Sequence, residues 1–174
     1  QGEGKSTFAR RLGKGWASSS FSTVNGKESF EQLRGKWVLE SAELSGLRKA
    51  EAEQVKNFIT KEVDSYRPAY GRVVEEFPRQ CVFIGTTNEV DFLKDPTGDR
   101  RFMPVVVKRS NNPKYNVWAD EFDQVLDQMW AEAVQLYKDG EPLILSPEAE
   151  AIAHTKRESH TERDERYGLI LQYV

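Results

Sequence analysis

The stretch that most constrains the fold lies at the start of the chain: Gln1-Gly2-Glu3-Gly4-Lys5-Ser6-Thr7. It matches the second half of G-x-x-x-x-G-K-[ST], a loop between a strand and a helix whose backbone N–H groups cradle phosphate oxygens. The first glycine of that pattern would stand five residues before Gly4, ahead of Gln1, and Gln1 is not an initiator. The chain therefore reads as a fragment lacking the strand that feeds the loop, and weak nucleotide affinity is expected of it. In a chain of 174 residues a Gly-Lys-Ser/Thr tripeptide arises by chance about one time in ten at ordinary residue usage. A glycine-rich surface turn is thus the alternative, and the rest of the sequence must decide.

Charge narrows the partners. With 25 basic and 28 acidic residues the net charge is −3, which argues against nucleic-acid binding by overall positive charge and leaves only a local patch. The hydrophobic fraction of 38% is enough for one globular core. No apolar stretch approaches the roughly 18 residues of a membrane span, and no secretory signal opens the chain. Cys81 is the only cysteine, so no internal disulfide forms; the expectation is a cytoplasmic protein without a membrane partner.

The pattern predicts a short helix over 6–13, a Ser-rich turn region over 16–27, and a helical piece over 27–33 broken by Gly35. Trp37-Val38-Leu39 reads as a buried central strand. A helix over 47–62 places Val55, Phe58, Ile59 and Val63 on one side. Residues 64–79, with Pro68, Gly71 and Pro78, suit an extended loop or hairpin. Residues 81–84 and 102–107 read as further strands. Three-four spacing of Phe122, Val125, Leu126, Met129, Trp130, Ala133, Val134 and Tyr137 predicts a long helix ending at Asp139-Gly140. Residues 143–145 read as a short extended piece. Ser146-Pro147 caps a charged helix running to about residue 166, in which His154 and His160 are expected to be solvated.

Four clusters carry chemistry. In the loop, Gly2, Gly4, Lys5, Ser6 and Thr7 are the candidate phosphate binders, with Lys5 neutralising phosphate charge and Ser6 ligating magnesium. Glu40 and Glu43 follow a buried strand, where acids can hold a magnesium shell or activate water; a solvated pair is the plain alternative. Asn88 ends the strand Phe83-Ile84-Gly85-Thr86-Thr87 and offers both a donor and an acceptor to water or phosphate. Arg100 and Arg101 precede the 102–107 strand, and guanidinium groups suit charge on a transferring phosphoryl group; a surface pair is the alternative. A fifth segment, Tyr66-Arg67-Pro68-Ala69-Tyr70-Gly71-Arg72 with nearby Lys61, interleaves aromatics and cations as single-strand binding requires. Its alternative is a structural hairpin whose tyrosines cover a core edge.

Loop, acidic strand, charged helix, Asn-ending strand and arginines follow the linear order of additional-strand P-loop ATPases. Residues 35–44 (GKWVLESAEL), 66–72 (YRPAYGR), 82–88 (VFIGTTN) and 98–105 (GDRRFMPV) resemble the virulence-associated protein E family. These are phage- and island-encoded replication ATPases similar to superfamily 3 helicases and often joined to a primase. The likeness covers about residues 1–145. It implies an α/β P-loop NTPase core over 1–110, a mostly parallel sheet flanked by helices, with 111–174 a helical C-terminal part of the same domain. It implies that Gly4, Lys5 and Ser6 are Walker A residues, that Glu40 and Glu43 are the acidic pair with Glu40 near the metal, that Asn88 is the sensor, and that Arg100 or Arg101 is an arginine finger. It also implies ATP and Mg2+ as cofactors, single-stranded DNA as partner, and a homo-oligomeric ring such as a hexamer. The alternatives are an ATP-dependent DNA-binding or helicase-loading module without unwinding activity and, less in keeping with the paired acids, a small-molecule kinase.

Overall fold

The computed structural model describes residues 2–19, 21, 24–42, 49–93 and 99–162. In chain order its regular elements are α1 (Lys5–Leu12), β1 (Ala17–Ser18), α2 (Glu28–Glu31), β2 (Val38–Ala42), α3 (Lys49–Ile59), β3 (Val63–Tyr66), β4 (Glu75–Pro78), β5 (Val82–Thr86), α4 (Phe122–Lys138) and α5 (Pro147–Glu158).

The protein is α/β. A three-stranded parallel sheet has the order β1-β2-β5. Its middle strand buries Val38, Leu39 and Glu40, as the run Trp37-Val38-Leu39 predicts for a strand covered on both faces. Leu39 lies opposite Phe83 in the ladder. On that face Leu33, Leu39 and Phe58 form a core completed by Phe21, Val24, Phe30, Cys81 and Phe83. A second cluster, Val117, Phe122 and Leu126 with Phe8, Leu12 and Val125, joins α1 to the start of α4. Cys81 belongs to the first cluster, where burial pushes its thiol pKa up against the opposing pull of Arg79.

The proline- and glycine-rich segment over 64–79 folds as an antiparallel hairpin, β3 against β4. Arg79 anchors it with hydrogen bonds to Asp64 (3.0 Å from Nε, 2.5 Å from Nη2) and to the Phe58 carbonyl at the end of α3. Both charged side chains of this pair are 5% exposed, and losing one partner of such a buried pair costs about 3–5 kcal/mol.

Several expectations are corrected. The turn region over 16–27 contains a two-residue strand, β1, too short to give a periodic signal. Val63 leaves the α3 face and opens β3, 42% exposed, whereas Lys56 of α3 is buried and reaches Glu53. Strand β5 is at the edge of the described sheet, so Val82 is 58% exposed rather than buried. Residues 102–107 form no strand: Met103, Val105, Val106 and Val107 are exposed, and the segment has no ladder partner among the described residues. An apolar β-branched run favours a strand only where a neighbour can pair with it. Residues 143–145 likewise form no strand, and Leu143 is 97% exposed.

The long helix ends at Lys138 with Asp139-Gly140 following, as predicted. Ser146 caps α5, its side chain accepting from the Ala149 N–H at 3.2 Å with Pro147 in the first turn. That helix stops at Glu158 instead of near residue 166. Arg157, in this charged helix, is buried and paired with Glu150. His160 is half-buried beside Phe92, with Nδ1 2.7 Å from the Val90 carbonyl, while His154 is exposed next to Glu158.

Candidate functional site

Parallel strands place their carboxyl ends on one edge, which is where ligands of α/β sheets sit. In this chain that edge is 86–88 at the end of β5 and the end of β2. Lys5 reaches it from the first turn of α1: its Nζ donates to the Thr87 carbonyl at 2.6 Å and to Asn88 Oδ1 at 2.8 Å. Next to them, Thr86 donates its hydroxyl hydrogen to Glu40 Oε1 at 3.0 Å. Glu40 is 4% exposed, so a carboxylate on the central strand is held at the same strand ends as the ammonium of Lys5.

The loop that delivers Lys5 depends on glycine. Gly2 and Gly4 have φ of +83° and +79°, a left-handed conformation that costs a Cβ-bearing residue about 1 kcal/mol or more. At Gly4 a Cβ would also collide with the Val117 side chain and crowd the Trp118 ring at 3.1 Å. Gly4 is the residue before α1, the first turn carries no acidic side chain, and Ser6 is exposed there while Thr7 is half-buried. The opening of α1 thus carries N–H groups and an exposed hydroxyl, and sends its lysine to the strand ends, without a carboxylate in that turn.

Of the residues singled out by sequence, Lys5, Glu40 and Asn88 come together with the Gly4–Ser6 turn. Thr86 and Thr87, which link them, are legible in the sequence only as small polar residues at a strand end. Glu43 lies outside the described residues. Arg100 and Arg101 form a single 3-10 turn, Asp99–Arg101, that packs against α5. Both are exposed, and the hydrogen bonds joining Lys5, Thr87 and Asn88, and Thr86 to Glu40, involve neither.

The hairpin residues divide. Tyr66 is corrected from a base-stacking candidate to a core residue: it is 5% exposed, with ring centroids 5.8 Å from Phe30 and 4.8 Å from Phe77. Its hydroxyl is buried without a hydrogen-bond partner among the described residues. Tyr70, by contrast, is fully exposed at the hairpin tip with φ +64°. Arg67 and Arg72 are exposed, and Lys61 is exposed with its ammonium 4.8 Å from the centre of the Phe30 ring. A shallow pocket of about 350 Å³ runs along the tip, lined by Tyr66 to Gly71 and by Lys27 from the residue preceding α2.

The fold is thus α/β, with a parallel sheet whose strand ends gather a glycine-loop lysine, a buried carboxylate and an asparagine. The model of the virulence-associated protein E-like domain matches residues 1–162, and the chain belongs to that family. No curated protein matches it. Among the described residues no helix is long and apolar enough to cross a membrane, and no cluster of three or more His, Cys, Asp or Glu side chains is placed to hold a metal ion.

Proposed function

We propose that this chain is the ATP-hydrolysing motor domain of a phage-type DNA replication helicase, with a P-loop NTPase core, acting on single-stranded DNA. The observation that carries the reading is the meeting of Lys5 with Asn88 and Thr87 at the strand ends, next to the Thr86–Glu40 bond. Three segments far apart in sequence supply a cation, a carboxylate and an amide to one edge, as phosphoryl transfer to water requires.

In this reading the N–H groups opening α1 and the Lys5 ammonium bind the β- and γ-phosphates. Asn88, which now accepts from Lys5, turns its amide to the γ-phosphate or the attacking water. Glu40 and Glu43 divide metal binding and water activation. Magnesium bound with nucleotide usually draws on only one or two protein carboxylates alongside phosphates and water. The exposed Ser6 hydroxyl and the buried carboxylate of Glu40 fit that sparse demand, and the ion would supply charge neutralisation on the phosphates. Arg100 or Arg101, exposed on the surface, serves a neighbouring subunit's site in a ring. Tyr70, Arg67, Arg72 and Lys61 form the DNA-facing surface, with Tyr66 supporting it from beneath.

The test is phosphate release from Mg-ATP by the full-length protein with and without single-stranded DNA, alongside a strand-separation assay. Stimulated release with unwinding supports the motor. Stimulated release without unwinding assigns the chain to an ATP-dependent loading module instead, and transfer of phosphate to a small acceptor would make it a kinase.

A further inference from the structure

Gly4 is pressed directly against residues 117–118, and this packing brings an aromatic ring to the loop. Val117 turns into the core with Phe122 and Leu126, 8% exposed, while Trp118 turns outward and is 45% exposed. A Cβ on Gly4 would lie 3.1 Å from Trp118 Cζ2, so the indole edge borders the backbone of the loop. A half-exposed tryptophan packed on a surface is an ordinary finding; the way this one is held is not.

The turn carrying Trp118 is fastened on both sides by α1, the helix that opens with the loop. Arg11 Nη1 donates to the Val117 and Ala119 carbonyls, each at 2.7 Å, and Arg11 Nη2 pairs with Asp123 at 2.7 Å. The Trp118 backbone N–H donates to Asn116 Oδ1 at 3.1 Å, and the Arg109 guanidinium lies 5.0 Å from the indole centre. The turn is therefore held beside the loop, with the indole edge against Gly4, before any ligand arrives, and such preorganisation lowers the entropic cost of binding.

We propose that Trp118 is the nucleobase platform of this site, stacking the base of a nucleoside triphosphate, with Arg109 as the cation that holds the ring. This rests on the phosphate-binding role proposed for Gly4, Lys5 and Ser6. A π-face accepts any base, so the platform binds ATP and GTP with similar strength.

The test titrates the full-length protein with Mg-ATP, Mg-GTP and magnesium tripolyphosphate in a calorimeter. Trp118→Leu keeps apolar bulk against Gly4 but removes the aromatic face. It should weaken both nucleotides about tenfold, the scale of one base-aromatic stack, and change tripolyphosphate less than about twofold, since every group that binds phosphate is retained. Trp118→Phe should retain most nucleotide affinity. The Leu variant binding ATP like the parent would overturn the proposal, as would an equal loss for tripolyphosphate, which would make Trp118 a support of the loop. Parent affinity for tripolyphosphate equal to that for ATP would also overturn it while leaving the phosphate role standing. Parent protein that binds none of the three would remove the phosphate role and the platform together.

Discussion

The strand ends around Lys5 and the β3–β4 hairpin make an instructive pair, because the sequence marks both by polar or aromatic residues at close spacing. At the strand ends, side chains from α1, β2 and the segment following β5 converge on one another. In the hairpin, neighbours of one type go to opposite environments: Tyr66 is 5% exposed and Tyr70 is fully exposed. The difference follows from what each side chain can tolerate. A buried carboxylate such as Glu40 must find a donor, so a polar residue at the end of a buried strand gathers partners. A tyrosine is content in the core or at the surface: Tyr66 ends β3 on its buried face, whereas Tyr70 lies beyond the strand in the turn at the hairpin tip.

The comparison breaks most visibly at Asn88. If it touches the γ-phosphate or attacking water, Asn88→Ala lowers ATP turnover by about 10²–10³, the range seen when one preorganised donor is removed, and leaves the melting curve nearly unchanged. Turnover equal to the parent would take Asn88 out of the site.

Of comparable size, Tyr66→Ala should cost about 3–5 kcal/mol of stability, as for loss of a buried aromatic ring, measured by urea unfolding. Tyr70→Ala should cost less than about 0.5 kcal/mol, as expected at an exposed position, while weakening single-strand affinity. Equal stability losses would erase the division between the two tyrosines. Tyr66→Phe sharpens the point: it removes a buried hydroxyl without a partner among the described residues and should be neutral or slightly stabilising.

The smallest effect concerns the exposed cations. Arg67→Ala with Arg72→Ala should flatten the salt dependence of single-strand binding by about 0.7 in log-log slope for each phosphate no longer neutralised, with ATPase activity in the absence of DNA unchanged. An unchanged slope would move the DNA surface away from the hairpin tip.

Much of this architecture is legible in the sequence because its signals are local. The apolar run at Trp37–Leu39, the three-four spacing after Phe122 and the Ser146-Pro147 cap each specify their element without outside help. What escapes depends on partners distant in sequence. Strand β1 is two residues long and exists through its ladder with β2, and the apolar residues 102–107 remain outside any described sheet because apolarity does not supply a neighbour. Within the site, Lys5, Glu40 and Asn88 stand out from their motifs. Trp118 and Arg11 do not, since nothing in their local sequence announces that a turn more than a hundred residues away will rest on the loop glycine. For Tyr66 the spacing with Arg67 suggests an exposed face, whereas the stack on Phe30 and Phe77 is set by packing of α2 and β4.

The most direct measurement is a calorimetric titration of Mg-ATP into the full-length protein and its Lys5→Ala variant, with melting curves recorded for both. Lys5 makes one solvent-exposed bond, to Asn88, and one part-buried bond, to the Thr87 carbonyl, so its loss should lower the melting temperature by only several degrees, since a typical hydrogen bond contributes about 0.5–1.5 kcal/mol to stability. Nucleotide affinity should fall by roughly ten- to a hundredfold, the equivalent of one or two charge-assisted hydrogen bonds. Undiminished ATP binding by a folded Lys5→Ala protein, or no binding by the parent, would contradict the assignment of these strand ends to a phosphate site.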